Sequence, residues 1–314
     1  MEENQEITNI LLIVISVLIV LGCVLSYFYF TKDKTKPIIH PEESKTVEKQ
    51  EAVFSEKDYP KVDGSTVMVP LAEAFKANFT GADLKDVEVK HSKNHNAYIN
   101  LINGDADLIL VTSPSEEEQK LSQEKKVELE IVPIVKDAFV FFVNKGNPIE
   151  NLTTEQIQDI YSGRIKNWKN VDGENKKIIA YQRPENSESQ SGMLSLVMKI
   201  NKMMEPEKET ISQGRINIVD VMPDYSNVKN AIGYSYYYYA KTMYSLDTMK
   251  LLSINGIAPT YDNIQTGLYD MQTVYYAVIR KDESENSNTR KLLELMKSER
   301  GQNIVKEAGY VQND

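Results

Sequence analysis

The 314-residue chain contains one cysteine, one tryptophan and three histidines. With Cys23 alone, an internal disulfide and a cysteine-rich metal site are both excluded. Cationic residues are also scarce, since 36 lysines and arginines face 46 aspartates and glutamates, for a net charge of −10. This charge argues against nucleic acid or an anionic membrane surface as the partner. It does not argue against a small anion, which backbone amides and one arginine can bind at short range.

Sequence motifs of catalysis are absent too. There is no nucleophile elbow, no P-loop and no Ser/His/Asp order, so we expect neither an enzyme nor a cofactor. His91 and His95 are four residues apart, a spacing that on a helix could place both on one metal ion. They flank a polar turn, however, and no cysteine can join them. We therefore expect surface residues, or one ligand contact through His95, rather than a metal site.

The N-terminal region carries a long apolar run. Residues 10–30 are almost wholly apolar and end in four aromatic residues, close to the ~20 residues that cross a bilayer with an interfacial aromatic belt. A cleaved signal peptide would begin with basic residues, whereas the tail at residues 1–9 is acidic. We predict a single transmembrane anchor. Residues 20–23 resemble a bacterial lipobox, so lipidation of Cys23 is the alternative.

A polar segment separates this run from the rest of the chain. Residues 31–58 are rich in lysine and glutamate, contain Pro37 and Pro41, and lack sustained periodicity, which predicts a flexible stalk. The lysines that follow the apolar run favour a cytoplasmic location, but long soluble domains are often translocated despite such charge. We expect the globular part on the extracytoplasmic side of the cell membrane.

From residue 59 onward, strand-like runs alternate with helical patterns. This alternation predicts an α/β fold with largely parallel sheets. Two helix starts carry capping boxes, Ser115 to Glu118 and Thr153 to Gln156. The apolar or strand-like runs fall at residues 61–62, 87–90, 107–111, 131–134, 138–143, 177–181, 251–254 and 273–279.

Three turns before predicted helices carry the candidate ligand chemistry, at residues 63–66, 93–96 and 183–189. Arg183 offers a rigid fork of donors that matches a tetrahedral oxyanion. Helix N-terminal amides and hydroxyl groups supply further donors. Ligands of open α/β sheets bind at the carboxyl ends of strands, where these turns are predicted to lie. The hydroxyls are those of Ser65, Thr66, Ser187 and Ser189.

One residue of the third turn opposes this interpretation. Glu188 places a carboxylate in the middle of the arginine turn. Pointing inward, it would repel a dianion by several kcal/mol at low effective dielectric. Pointing outward, it would have no effect on binding.

The order of motifs resembles the phosphate-binding receptors of bacterial ABC transporters, in the type 2 periplasmic-binding-protein superfamily. The resemblance covers roughly residue 59 to the C-terminus. Its most specific parts are the block from Tyr161 to Trp168 and the arginine turn. The matching segments are residues 63–66, 106–110, 114–115, 136–140, 147–148, 152–153, 160–168, 182–187, 232–234 and 309–311.

The resemblance implies two lobes that close over a ligand by a hinge of two crossover strands, near residues 137–144 and 269–279. Lobe 1 would comprise residues 59–140 and 270–314, and lobe 2 residues 141–269. The implied partners are phosphate or a similar oxyanion and the permease subunits, with the receptor a monomer. The implied ligand residues are Ser65, Thr66, Asn94 or His95, Arg183, Ser187 and Ser189.

Two positions depart from the family pattern. Such receptors commonly carry an aspartate that accepts the proton of hydrogen phosphate, where this chain has Thr112 or Ser113. They also have glycine, which permits positive φ and close ligand approach, where Glu188 stands. The sequence therefore leaves two functions open. One is an anchored receptor for phosphate or a related oxyanion, and the other an anchored sensor or interaction protein with altered or lost phosphate binding.

Overall fold

The computed structural model describes residues 51–183, 188–206, 228–242 and 248–313. Contacts divide the chain into two compact units, Met1–Glu43 and Ser44–Asp314, and the described residues belong to the second. The predicted tail, the predicted anchor at residues 10–30 and most of the predicted stalk lie outside the described residues. Within the described ranges, no helix combines the length and the apolar character needed to cross a membrane.

Strands and helices alternate along the described residues. The strands are β1 (Val62–Gly64), β2 (Leu108–Val111), β3 (Leu129–Asn144), β4 (Asn151–Leu152), β5 (Ile179–Ala180), β6 (Ala231–Tyr236), β7 (Met249–Leu251), β8 (Ser253–Ile254), β9 (Gln272–Arg280) and β10 (Val311–Gln312). The helices are α1 (Val69–Thr80), α2 (Asn94–Asn103), α3 (Glu116–Lys125), α4 (Thr154–Tyr161), α5 (Glu188–Gly192), α6 (Tyr237–Thr242), α7 (Tyr261–Gln265), α8 (Asn288–Lys297) and α9 (Glu299–Glu307).

Local capping chemistry sets two helix starts as predicted. The Thr153 N–H donates to Gln156 Oε1 over 2.8 Å, and the Gln156 N–H donates back to Thr153 Oγ1 over 3.0 Å. Each bond satisfies a donor that the first turn of α4 cannot use internally. At α3, Ser115 and Glu118 form the other predicted capping box.

Strand β3 connects the two halves of the molecule. Its first half pairs with β9, from Leu129 opposite Arg280 to Ala138 opposite Gln272. Its second half lies between β6 and β7. The two apolar runs at residues 131–134 and 138–143 are therefore parts of one strand, whose register shifts just after Pro133, where the ring removes a ladder donor.

The expectation of largely parallel sheets is wrong. The pairs β1–β2, β5–β6 and β4–β8 are parallel, but every described ladder of β3 and β9 is antiparallel. The chain passes from one half of the molecule to the other along β3 and returns along β9. Two neighbouring strands that carry the chain in opposite directions must pair antiparallel.

Two large apolar cores define two lobes. The core of lobe 1 contains Leu71 and Phe75 of α1, Leu108 of β2 and Leu292 of α8. The core of lobe 2 contains the second half of β3 with side chains of α4 and β6. A smaller cluster in lobe 1 surrounds Tyr98 and lies between α2 and β2. Residues of β3 on either side of Ala138 thus belong to different cores.

Three segments differ from simple sequence expectations. Residues 87–90 form no ladder, although Val87 and Val89 are buried. The four consecutive tyrosines at residues 236–239 are divided between a strand and a helix, because β6 ends at Tyr236 and α6 begins with the buried Tyr237. Residues 51–58, within the predicted stalk, contact lobe 1: Phe54 is buried, and its N–H donates to the Phe79 carbonyl over 3.0 Å.

Candidate functional site

The first candidate turn begins where β1 and β2 run side by side. Gly64 lies opposite Leu110 in this parallel pair, and a Cβ on Gly64 would lie 2.5 Å from the Leu110 carbonyl oxygen. Only glycine therefore allows this close approach. The N–H of the next residue, Ser65, donates to the same oxygen over 2.9 Å. The first residue of the loop is therefore hydrogen-bonded to β2.

Ser65 and Thr66 have different environments. Ser65 is only 1% exposed, and its Oγ makes no hydrogen bond to another described residue. Thr66 is exposed and begins a short 3-10 helix, Thr66–Met68, that leads into α1. Of the two hydroxyls predicted for this turn, Thr66 is the accessible one.

The second turn is joined to the end of β2 by Asn94. Its Oδ1 accepts hydrogen bonds from the Thr112 N–H over 2.9 Å and from Thr112 Oγ1 over 3.0 Å. Thr112 directly follows β2, and Asn94 is the first residue of α2. Because β1 and β2 are parallel neighbours, the residues that follow them, Thr66 and Thr112, lie at one edge of the sheet. The structure thus places three of the predicted lobe 1 residues, Thr66, Asn94 and Thr112, at one edge of the sheet.

His95 is paired within lobe 1. Its Nδ1 lies 3.0 Å from Glu118 Oε1, and Glu118 Oε2 accepts from the Ser115 N–H over 2.5 Å. The Glu118 side chain is buried, whereas that of His95 is 47% exposed. Glu118 thus links the start of α2 to the start of α3. Sequence spacing shows its capping role, but not its contact with a residue 23 positions away.

Arg183 lies in lobe 2, three residues after β5, and is half-buried. Its backbone N–H donates to Gln190 Oε1 over 3.1 Å and to Tyr234 Oη over 3.0 Å. The Tyr234 hydroxyl also donates to Gln190 Oε1. Burial raises the pKa of Tyr234 well above its usual range, so this hydroxyl remains a neutral donor. Gln190 and Tyr234, which anchor the arginine backbone, are not among the residues predicted from the sequence, and no spacing rule indicates them.

The rest of the third turn is only partly described. Ser187 and the Glu188 side chain lie outside the described residues. Ser189 is half-buried in the short helix α5.

A buried carboxylate lies where β3 passes between the lobes. Asp137 is 1% exposed, and its Oδ1 accepts from the Ala138 N–H over 2.8 Å and the Tyr238 N–H over 3.1 Å. Its Oδ2 has no hydrogen bond to a described residue. Burial raises the pKa of Asp137 to about 7, against the opposing effect of the backbone donors. Asp137 thus combines a structural role at the start of α6 with an ionisable group near neutral pH.

Comparison with known proteins identifies relatives over most of the described chain. A model of the PBP superfamily domain matches residues 63–299. The phosphate-binding protein PstS of Borreliella burgdorferi is 28% identical over 179 residues, which cover 56% of this chain and 63% of that relative, less than two thirds of its length. PstS of Staphylococcus epidermidis RP62A is 26% identical over 266 residues, which cover 81% of this chain and 79% of that relative.

Solved structures share the fold. An ABC-type phosphate transport receptor from Vibrio cholerae has a TM-score of 0.61 at 23% identity, and the match covers 80% of this chain and 98% of that chain. PstS from Borrelia burgdorferi has a TM-score of 0.59 at 22% identity, covering 81% and 98%. The expected two-lobed α/β binding-protein fold is confirmed, whereas the transmembrane helix stays a prediction. These relatives are binding proteins and transport receptors, so the expectation of a non-enzyme is also confirmed.

Proposed function

Because the chain belongs to the PBP superfamily domain family, we propose that it is a receptor that binds phosphate or a related oxyanion between its two lobes. The names of its relatives, phosphate-binding proteins and a phosphate transport receptor, support this ligand. The receptor delivers the bound anion to the permease subunits of an ABC transporter and acts as a monomer. Its net charge of −10 is compatible with this role because binding uses short-range donors.

One observation carries the proposal, namely the position of Thr66 and Thr112 at the carboxyl ends of two parallel neighbours, with Asn94 bonded to Thr112. Asn94 uses its carboxamide oxygen for Thr112, which leaves the donor end, Nδ2, for an anion. The exposed Thr66 hydroxyl is a second donor. Arg183 contributes the charged fork from lobe 2. His95, Ser187 and Ser189 complete the proposed contacts, whereas the side chain of Ser65 is buried.

Thr112 can take the place of the missing aspartate as the acceptor for the proton of hydrogen phosphate. Its Oγ1 donates its proton to Asn94 Oδ1 over 3.0 Å, so the lone pairs of Oγ1 are available to accept a hydrogen bond. Hydrogen phosphate has such a proton, whereas sulfate has none at neutral pH. We infer that the site accepts hydrogen phosphate but discriminates against sulfate less strongly than a site with a carboxylate.

Isothermal titration of the full-length protein with phosphate tests this function. We expect Thr66→Val to weaken phosphate binding by about three- to tenfold, since it removes one hydrogen bond worth about 0.5–1.5 kcal/mol. Thr80→Val is the matched control, because the Thr80 hydroxyl bonds Lys76 at the far end of α1. If the wild type shows no heat of phosphate binding down to millimolar affinity, the proposal is contradicted. The anchored sensor or interaction protein is then favoured.

The membrane attachment is a separate proposal. We propose that residues 10–30 anchor the receptor on the extracytoplasmic side of the cell membrane. We expect the protein to stay in the membrane fraction after an alkaline carbonate wash, and Cys23→Ala to stay there equally. Release of the Cys23→Ala protein into the soluble fraction would instead indicate a lipid anchor at Cys23, and release of the wild type would contradict any anchor.

A further inference from the structure

Two buried tyrosine hydroxyls hold the two candidate loops of lobe 1. Tyr310 Oη donates to the Val67 carbonyl over 2.5 Å, and Tyr98 Oη donates to the Thr112 carbonyl over 2.7 Å. Tyr310 is 1% exposed, and Tyr98 is fully buried. Val67 follows Thr66 in the first loop, and Thr112 begins the second loop, which directly follows β2. Each loop thus receives one hydrogen bond from the core behind it.

The Tyr310 hydroxyl is held in place by its ring. The ring stacks on that of Tyr238 with centroids 3.7 Å apart and planes 8° apart. Gly309 precedes it with φ of 91°, a conformation that turns the chain sharply after α9. Tyr238 belongs to α6, whose first turn is bonded to Asp137. The hydroxyl therefore reaches the Val67 carbonyl from a rigid support.

Tyr98 completes a clamp on Thr112. Asn94 holds the N–H and Oγ1 of Thr112, and Tyr98 holds its carbonyl. The C=O of one residue and the N–H of the next point in opposite directions across a trans peptide. With the Thr112 carbonyl directed toward α2, the Ser113 N–H points away from α2. The clamp thus orients a backbone donor as well as the Thr112 hydroxyl.

The hydrogen bond from Tyr310 affects the first loop in a different way from the bond of Tyr98 to Thr112. The Met68 N–H already bonds the Ser65 carbonyl over 3.1 Å within the 3-10 turn. The Tyr310 bond to Val67 therefore fixes the turn as a unit against the core. It follows that the backbone of Thr66 keeps its position relative to β1 and β2.

We propose that Tyr98 and Tyr310 are positioning residues of the oxyanion site, which hold the two lobe 1 loops in their binding arrangement before the ligand arrives. The proposal rests on the proposed function. Ordering a loop at the moment of binding consumes part of the binding free energy. Loops that the folded protein has already ordered avoid this loss. Removing the tyrosine hydroxyl that holds a loop therefore moves the free-energy cost of ordering that loop into the binding step.

Tyr310→Phe and Tyr98→Phe test this inference in two separate loops. Each change removes only a hydroxyl, and we expect each to raise the dissociation constant for phosphate by about three- to tenfold. Thr80→Val is the control. The Thr80 hydroxyl donates to the Lys76 carbonyl over 2.6 Å near the end of α1, so this variant loses the same kind of bond outside the two loops and outside the proposed hinge. We expect a similar fall in melting temperature without a change in phosphate affinity.

Amide hydrogen exchange in the ligand-free state separates this inference from the proposed function. We expect faster exchange at residues 65–68 in Tyr310→Phe and at residues 112–113 in Tyr98→Phe, with no change there in Thr80→Val. Unchanged exchange in both loops, or an equal loss of affinity in all three variants, overturns the inference. If the wild type binds no phosphate but the two tyrosine variants still show their local exchange changes, the proposed function is overturned. The role of the two tyrosines in positioning the loops is then retained.

Discussion

Arg183→Ala is expected to lower phosphate affinity on the order of a hundredfold or more, because truncating a charged partner in a closed site costs about 2–5 kcal/mol. The backbone of Arg183 is anchored by Gln190 and Tyr234, so the change leaves the turn in place. Arg183→Lys keeps the charge but loses the planar fork of donors. We expect it to bind with an affinity between those of Arg183→Ala and the wild type.

The control for this experiment is Arg164→Ala. Arg164 lies in the same lobe with its side chain 55% exposed, and it pairs with Asp159 over 2.5 Å. Its removal changes the net charge equally but touches none of the proposed ligand residues. Titration calorimetry should show wild-type phosphate affinity for Arg164→Ala. Equal losses in both arginine variants would mean that net charge, and not the fork of Arg183, governs binding.

Asp137→Asn is expected to change how the stability of the protein depends on pH. The pKa of Asp137 is raised by burial from 3.8 to about 7. Between these values the folded state keeps a proton that the unfolded state has released, so wild-type stability falls as pH rises through this window and is level above it. Asparagine cannot ionise, and its carboxamide can keep the bonds from Ala138 and Tyr238. We expect the variant to gain up to about 4 kcal/mol relative to the wild type between pH 4 and pH 8.

For Asp63→Asn we expect a pH dependence of stability of the opposite sign. Asp63 is 1% exposed, as is Asp137. Burial alone would raise the pKa of Asp63, but hydrogen bonds from Asn100, Ser92 and Gly64 together lower it. Its stabilisation is present at neutral pH and is lost as pH falls through the lowered pKa. Urea unfolding between about pH 2 and pH 8 should therefore show a stability deficit of Asp63→Asn, relative to the wild type, that is level above about pH 5 and shrinks as the pH falls below about 4. Parallel stability profiles for Asp137→Asn and the wild type would contradict the raised pKa.

Most of the local structure could be predicted from short sequence patterns. The capping boxes at Ser115 and Thr153 form as predicted, because the bonding groups lie three residues apart. The resemblance to phosphate-binding receptors also led to Thr66, Asn94 and Thr112, which the structure brings to one edge of the sheet. Local geometry and motif order were sufficient for these results.

Other features depended on contacts that no local pattern records. The single long strand β3 and its antiparallel partners replaced two separate runs in largely parallel sheets, because strand direction is set by how the chain crosses between lobes. Segment 87–90 has strand-like composition but no partner strand, so it forms no ladder. Residue type alone does not reveal which neighbours are present.

The sequence by itself determined the helix starts, the turn residues and the donor groups that point to an oxyanion, since each depends on residues close together in the chain. Only the tertiary structure decided that Ser65 is buried and Thr66 exposed, and that Asp137 is shielded from water. It also decided the bond from Tyr310 to Val67, which joins residues 243 positions apart. Burial and long-range hydrogen bonds arise only when the packed chain excludes water and brings distant groups together.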